Sequence, residues 1–184
     1  MFTYDMSEDL KTILQASYKP QAEAQETLEN KGYTYDKDLS TMEHKVFVNS
    51  EGTPQIAYRG TVRLSDWMRN SLTATGLEKY DTKFSEAKQL RDSVEAKYNK
   101  PPEIYGHSRG ANLAEYAGKG TQSKVTTYNK PVSIFGLGKT LNENQKDIYT
   151  KYDIPSTLSR FQYGNKKYIA SPLNPLKAHS TKNL

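Results

Sequence analysis

Residues 103–118 read EIYGHSRGANLAEYAG: a short strand-like run, a serine flanked by glycines, and a run of small residues typical of a packed helix. Gly106 and Gly110 stand on either side of Ser108 in the pattern Gly-x-Ser-x-Gly. Between a strand and a helix this spacing produces a sharp turn with strained angles at the serine, and small neighbours let the two elements approach. The stretch therefore predicts a strand, a tight turn that lifts the Ser108 hydroxyl above the sheet, and a helix that ends at Gly118.

Ser108 has two interpretations. A five-residue pattern with two glycines occurs by chance in many chains, and an ordinary turn would give the serine no chemical role. The strand before it and the small-residue helix after it favour a nucleophile instead. In that case the backbone N–H of Arg109 would point at an oxygen bound beside the serine, close to the positive end of the helix dipole.

The pattern along the rest of the chain predicts an α/β fold. Helices are predicted at 7–19, 20–32, 81–98 and 142–152, strands at 46–48, 56–58 and 131–138, and a last pair of strands within 160–171. Since strands alternate with helices from about residue 54, we expect a mostly parallel sheet flanked by helices on both faces. We expect a single domain over 1–184, with a helical N-terminal part over 1–40 and a catalytic core over 41–184.

The composition indicates a globular protein without thiol chemistry. Hydrophobic residues make up 35% of the 184 residues and charged residues 26%, with a mean hydropathy of −0.86 interrupted by short apolar runs. With no Cys and three His, neither a disulfide framework nor a zinc site is expected, and no cofactor is predicted. The first ten residues lack a secretory pattern and no apolar stretch reaches transmembrane length, so we expect a cytoplasmic location in a producing or host cell.

The positive charge is concentrated in the second part of the chain. From Lys119 onward there are eleven Lys and Arg against three acids, a net charge of +8 that leaves −3 in the first 118 residues. Such asymmetry marks either an anionic partner or a solvated lysine-rich face, and the scattered spacing favours the solvated face. An anionic membrane surface stays a candidate partner. Nucleic acid is not expected, because the chain has no clustered basic helix or aromatic platform.

A nucleophilic serine requires a general base, and three histidines compete for that role. His107 is adjacent to Ser108, but in a sharp turn its side chain should project away from the hydroxyl, so we expect a structural role. His44 precedes the serine in the chain and His179 follows it. The order serine, acid, histidine that accompanies this type of turn selects His179. Its alternative is a solvated histidine in the C-terminal tail.

The acid that orients the base must then lie between Ser108 and His179. The candidates for this role are Glu143, Asp147 and Asp153. Asp147 falls in the predicted helix at 142–152 and should lie on its solvated face. Asp153 is followed by Pro155, which breaks the backbone so that a loop can carry the carboxylate to the sheet edge. Asp153 is therefore the predicted acid, with a helix-terminal turn as its alternative role.

Several stretches taken together resemble a known family. They are IAYRGTVRLSDW at 56–67, IYGHSRGANLAEYA at 104–117 and VSIFGLG at 132–138, followed by an Asp and a late His. In this order they resemble the class 3 lipases, the triacylglycerol-lipase-like branch of the α/β-hydrolases. The resemblance covers roughly residues 46–179. Small lipase-like proteins of this shape also resemble products of double-stranded DNA viruses, which implies a viral, virion-associated member.

The resemblance implies a serine hydrolase that cleaves carboxylic esters, with a lipid or small ester as substrate. By the same resemblance Thr61 completes an oxyanion hole with the N–H of Arg109. Arg109 stands where the family usually has leucine, and this cation favours an anionic or phosphate-bearing substrate. Residues 62–77 are the candidate cover of the site. The alternative function is a catalytically inactive hydrolase-fold protein that binds a partner or builds a virion.

Overall fold

The computed structural model describes residues 6–60, 82–132, 137–154, 156–170 and 172–184. The helices in these ranges are α1 (Met6–Ala16), α2 (Gln21–Glu29), α3 (Thr82–Tyr98), α4 (Arg109–Gly118) and the short α5 (Pro175–Ala178). The strands are β1 (Thr34–Tyr35), β2 (His44–Val48), β3 (Pro54–Tyr58), β4 (Glu103–His107), β5 (Val125–Tyr128), β6 (Gln145–Thr150) and β7 (Lys166–Ile169). Single 3₁₀ turns cover Thr157–Phe161 and Thr181–Asn183. Across these ranges, no helix combines the length and apolar character that crossing a bilayer requires.

The seven strands form one sheet whose order, β1 to β7, repeats the order of the chain. The first three strands are antiparallel, and β3 to β7 run parallel. Right-handed crossovers that add each new parallel strand on the same side of a sheet place their helices on one face of it. Helices α3 and α4 therefore cover that face, and α1 and α2 cover the other. The predicted α/β fold with a mostly parallel, two-sided sheet is confirmed.

Each face of the sheet has its own apolar core. On the α3 and α4 face the buried side chains are Val46, Ile56, Tyr58, Ala87, Val94, Ile104, Ala114, Ala117 and Val125. On the α1 and α2 face they are Leu10, Ile13, Leu14, Ala16, Ala24, Leu28, Tyr35, Phe47, Ala57, Tyr128 and Ile148. The alanines of α4 let this helix pack closely on β4 and β5. This packing fixes the carboxyl ends of the parallel strands, where the candidate site lies.

The strands predicted at 46–48 and 56–58 and the long helix predicted at 81–98 are confirmed. Strands β2 and β3 pair in antiparallel register, with Val46 opposite Ile56. Phe84, Ala87 and Val94, which recur at helical spacing along α3, are all buried. Helical spacing and turn residues were sufficient signals in these segments.

Three predictions for the second part of the chain were wrong or fall partly outside the described ranges. Within the helix predicted at 142–152, residues 145–150 form strand β6 instead, because the run of aromatic and β-branched residues at 148–150 prefers an extended backbone. The predicted strand at 131–138 includes 133–136, which lie outside the described residues; the strand that pairs with β4 is β5, earlier in the chain. Of the predicted last pair, only β7 is a strand, and the 3₁₀ turn replaces the other.

Candidate active site

Ser108 occupies the turn between β4 and α4 with an uncommon backbone conformation. Its φ is 56° and its ψ is −129°, values that non-glycine residues rarely adopt and that cost on the order of 1–3 kcal/mol. A hydrogen bond of 3.1 Å from the Ser108 N–H to the carbonyl oxygen of Tyr128 holds the turn against β5. A Cβ atom on Gly106 would overlap the backbone of Gly110, so the strand and the helix touch as closely as the sequence predicts.

Gly60, at the end of β3, packs directly against the serine. A Cβ atom at this position would lie 2.7 Å from the Cβ of Ser108 and 2.8 Å from the carbonyl oxygen of His107, so only glycine fits. Thr61, the residue that the resemblance assigns to the oxyanion hole, lies outside the described residues, as does the segment 62–77. The residue immediately before Thr61 is therefore in contact with the candidate nucleophile.

Asp153 and His179 form a buried pair. The Nδ1 atom of His179 lies 2.5 Å from Oδ1 of Asp153, and the two side chains are 4% and 0% exposed. The second carboxylate oxygen of Asp153 accepts a hydrogen bond of 3.0 Å from the Ser156 N–H. Because an ionised carboxylate only accepts hydrogen bonds, the neutral form of His179 would carry its proton on Nδ1 and its lone pair on Nε2.

Two buried polar atoms at this site have no hydrogen-bond partner among the described residues: Oγ of Ser108 and Nε2 of His179. Buried polar atoms are nearly always hydrogen-bonded, so unpaired ones call for an explanation. Here one is a potential proton donor and the other a potential acceptor. The structure contains no hydrogen bond between them, and the Ser108 residue is only 1% exposed.

The backbone around His179 is held by side chains from three neighbouring strand ends. Three consecutive carbonyl groups are the acceptors: Ala178 from Asn129 (3.1 Å) and Thr150 (2.8 Å), His179 from His107 (2.7 Å), and Ser180 from Tyr128 (3.2 Å). Asn129 adopts a φ of 47°, which asparagine tolerates better than most residues. The short α5 segment is thereby fixed to the carboxyl edge of the sheet.

His107 belongs to a buried chain of hydrogen bonds rather than to the serine hydroxyl. Its Nε2 donates to the carbonyl of His179, so its Nδ1 must accept, and it does so from the Tyr18 hydroxyl at 2.7 Å. That hydroxyl in turn accepts a bond of 2.8 Å from the N–H of Gly60. Burial, together with the neighbouring His179, lowers the pKa of His107 to about 3, while burial raises the pKa of Tyr18 to about 12. Both groups are neutral near pH 7.

His44 is engaged elsewhere. It lies on β2, two strands away from β4, and its Nε2 is 3.1 Å from the carbonyl oxygen of Leu39. Its Nδ1 is 3.3 Å from the hydroxyl of Thr41. Burial lowers the pKa of His44. With both ring nitrogens engaged in its own loop, His44 has a structural role.

The expectation of a solvated Asp147 was wrong. Asp147 lies on β6 and is fully buried, because the predicted helix is a strand whose alternate residues face α4. Its carboxylate is 2.6 Å from Nζ of the buried Lys130 and accepts hydrogen bonds from Thr127 and Tyr149. Glu143 is exposed. Of the three candidate acids, only Asp153 contacts His179.

Sequence reasoning missed Tyr18, Asn129 and Thr150 as parts of this site. Tyr18 comes from the end of α1, far from Ser108 in the chain, and no local pattern distinguishes it from the other tyrosines. Asn129 had a weak signal, since an asparagine directly after a strand often adopts a positive φ.

Comparisons with known proteins agree on the fold. A family model described as Mbeg1-like matches residues 7–155. No curated protein matches the chain in sequence. The Lip2 lipase from Yarrowia lipolytica superposes with a TM-score of 0.59 and 16% identity, over 96% of this chain and 82% of that one. The native Rhizomucor miehei lipase propeptide complex gives a TM-score of 0.57 and 14% identity, over 89% of this chain and 67% of that one. At such identities the likeness shows a shared lipase fold.

Proposed function

We propose that this chain, which belongs to the Mbeg1-like family, is a serine hydrolase that cleaves carboxylic esters through an acyl-enzyme on Ser108. The observation that carries the proposal is the strained turn at Ser108 combined with the buried Asp153–His179 pair. The unpartnered Oγ of Ser108 and Nε2 of His179 support it, because a nucleophile and its base require such atoms. The lipase fold makes this arrangement chemically reasonable.

In the proposed mechanism, Nε2 of His179 takes the proton of Ser108 as Oγ attacks the ester carbonyl carbon. Asp153 keeps the His179 ring in the tautomer with the proton on Nδ1 and stabilises the imidazolium that forms. The N–H groups of Arg109 and Thr61 stabilise the negative charge on the former carbonyl oxygen. The intermediate collapses as His179 protonates the leaving alcohol, which leaves an acyl-enzyme on Ser108. His179 then takes a proton from the water molecule that attacks the acyl group, and it returns this proton to Oγ of Ser108 as the acid is released.

The proposed substrates are esters of lipids, with a phospholipid or another anionic ester favoured. Arg109 places a cation next to the nucleophile, and the second part of the chain carries a net charge of +8. Both would attract an anionic head group. A location in the cytoplasm or in a virion stays a prediction.

One observation favours the alternative function, a catalytically inactive hydrolase-fold protein that binds a partner or builds a virion. Ser108 is almost completely buried and makes no hydrogen bond to His179. In an inactive member the glycines of the turn would persist for packing alone.

The decisive experiment is mass spectrometry of the intact protein after incubation with a fluorophosphonate. We expect one adduct in the wild type, none in Ser108→Ala, and an unchanged adduct in the control Ser85→Ala, which alters an exposed serine of α3. No adduct on a protein that is folded by circular dichroism would favour the alternative. If the adduct forms, fatty-acid release from neutral esters and from phospholipids distinguishes the substrate classes.

A further inference from the structure

The β7 end of the sheet exposes an unusual combination of side chains, which we call the edge surface. Its apolar members are Tyr152, Ile154, Phe161, Tyr163 and Tyr168, which are between 44% and 66% exposed. Its cationic members are the exposed Lys151, Arg160 and Lys167. All eight lie within residues 151–168, between the end of β6 and the edge strand β7.

The positive charge of the edge surface is not compensated. Asp153 is the only acid between Lys151 and the end of the sequence, and it is buried against His179. None of the three cationic members forms an ion pair within the described part of the chain. The surface therefore presents apolar and aromatic groups beside cationic side chains.

The edge surface is built on a fixed framework and adjoins the candidate site. The hydroxyl groups of Ser159 and Tyr168 are 3.0 Å apart, which ties the 3₁₀ turn to β7. The ring of Tyr168 stacks on that of Tyr149 in β6, with centroids 5.6 Å apart. Ile154 directly follows Asp153, the predicted catalytic acid. A partner bound to the edge surface would thus lie next to the site.

Protection against aggregation explains only part of this surface. Lysines on an edge strand discourage pairing with other sheets, and Lys167 on β7 fits that role. Ile154, Phe161 and Tyr163 lie outside the strand, however, and exposing them would raise the tendency to aggregate. The surface therefore fits a partner that accommodates apolar groups and itself carries negative charge.

We propose that the edge surface docks this protein on an anionic lipid surface. Tyrosine is favoured at the boundary between acyl chains and head groups, where its ring is apolar and its hydroxyl is hydrated. Lysine and arginine near an anionic leaflet are attracted to its head groups. Nucleic acid would use the cations and the aromatic rings but not the aliphatic Ile154. The delivery of lipid esters to Ser108 rests on the proposed function, whereas the docking itself does not.

The test measures co-sedimentation of the Ser108→Ala protein with vesicles, so that no substrate is consumed. Vesicles of phosphatidylcholine with and without phosphatidylglycerol are compared over a series of salt concentrations. The variant K151E/R160E/K167E reverses the three cationic members. Its matched control, K31E/K37E/K88E, makes the same change in net charge at exposed lysines outside the edge surface.

We expect binding to the phosphatidylglycerol vesicles that weakens with salt, falls at least about tenfold in K151E/R160E/K167E, and is largely kept in the control. A second variant, F161S/Y163S, should lower the binding that remains at high salt. An equal loss in both triple variants would overturn the proposal, because net charge alone would then explain binding. Binding to an oligonucleotide but not to vesicles would also overturn it. Fluorophosphonate labelling is scored separately, so that a failure of catalysis and a failure of docking are distinguishable.

Discussion

The Nε2 atom of His107 donates a hydrogen bond of 2.7 Å to the carbonyl oxygen of His179. The residue that precedes the candidate nucleophile thus holds the backbone of the candidate base. Through Tyr18 the same chain of hydrogen bonds reaches Gly60, which packs on Ser108. Displacing any member should therefore affect the alignment of the whole site.

The tautomer of His179 should decide activity. In Asp153→Asn the amide oxygen is expected to face the Ser156 N–H, which needs an acceptor, and the amide nitrogen then faces Nδ1 of His179. The ring must accept at Nδ1 and carry its proton on Nε2, where it cannot receive the proton of Ser108. We expect the rate of fluorophosphonate labelling to fall by about 10⁴. The exposed Asp38→Asn is the control, and a labelling rate equal to that of the control would contradict the assigned acid.

Tyr18→Phe should destabilise the protein and slow its labelling. The substitution leaves the N–H of Gly60 and Nδ1 of His107 without their partner, and each unsatisfied buried group costs about 1–3 kcal/mol. The free energy of unfolding in urea and the labelling rate measure the two effects. Tyr152→Phe, which removes an exposed hydroxyl, is the matched control. A Tyr18 variant that behaves like this control would show that the hydrogen-bond chain is unimportant.

His107 should make the protein sensitive to acid. Folding lowers its pKa from 6.5 to about 3, so between these values the unfolded chain binds a proton that the folded chain does not. Stability contributed by neutral His107 is therefore present above pH 6.5 and is lost as pH falls, by about 2 kcal/mol at pH 5. His107→Gln removes this titration and keeps a donor for the carbonyl of His179.

Urea unfolding at pH 7 and pH 5 checks this prediction. The His107→Gln variant should be less stable than the wild type at pH 7, and the difference should shrink at pH 5. His44 contributes equally to the pH dependence of the free energy of unfolding in both proteins, so its contribution cancels from the difference between them. If the wild type and His107→Gln lose the same amount of stability between pH 7 and pH 5, His107 is not the acid-sensitive group.

Thr150→Val tests how the α5 segment is held. The substitution keeps the shape of the side chain but removes the hydroxyl that donates to the carbonyl of Ala178. We expect faster amide hydrogen exchange around His179 and a labelling rate lowered by about fivefold, equivalent to the loss of about 1 kcal/mol. Thr34→Val, at the exposed end of β1, is the control. Unchanged amide exchange around His179 would show that the hydrogen bond from Asn129 to the carbonyl of Ala178 is enough to hold this segment.

Local patterns predicted the first part of the fold well and the second part poorly. The hairpin at β2 and β3, helix α3 and the turn at Ser108 each carry a short-range signal: turn residues, helical spacing and flanking glycines. Strand β6 carries no such short-range signal. The charge of its buried Asp147 is neutralised by Lys130, which is seventeen positions earlier in the chain. A polar residue satisfied by so distant a partner resembles a solvated one when only its neighbours are considered.

The candidate site was predictable where chain order and chemistry limit the choices. Four acids lie between Ser108 and His179, and Asp153 is the one that the structure pairs with the histidine. The catalytic roles of these residues stay predictions. Tyr18 could not be found from the sequence, because its importance depends on the packing of α1 across the end of β4.

Because each strand of the sheet pairs with its predecessor in the chain, the sheet can grow during translation by the addition of one strand at a time to a free edge. The turn at Ser108 can form once β5 has emerged from the ribosome, but Asp153 and His179 emerge only later. On the proposed mechanism the nascent chain therefore holds its serine in place without a base. On that mechanism, ester hydrolysis would begin only after synthesis has passed His179.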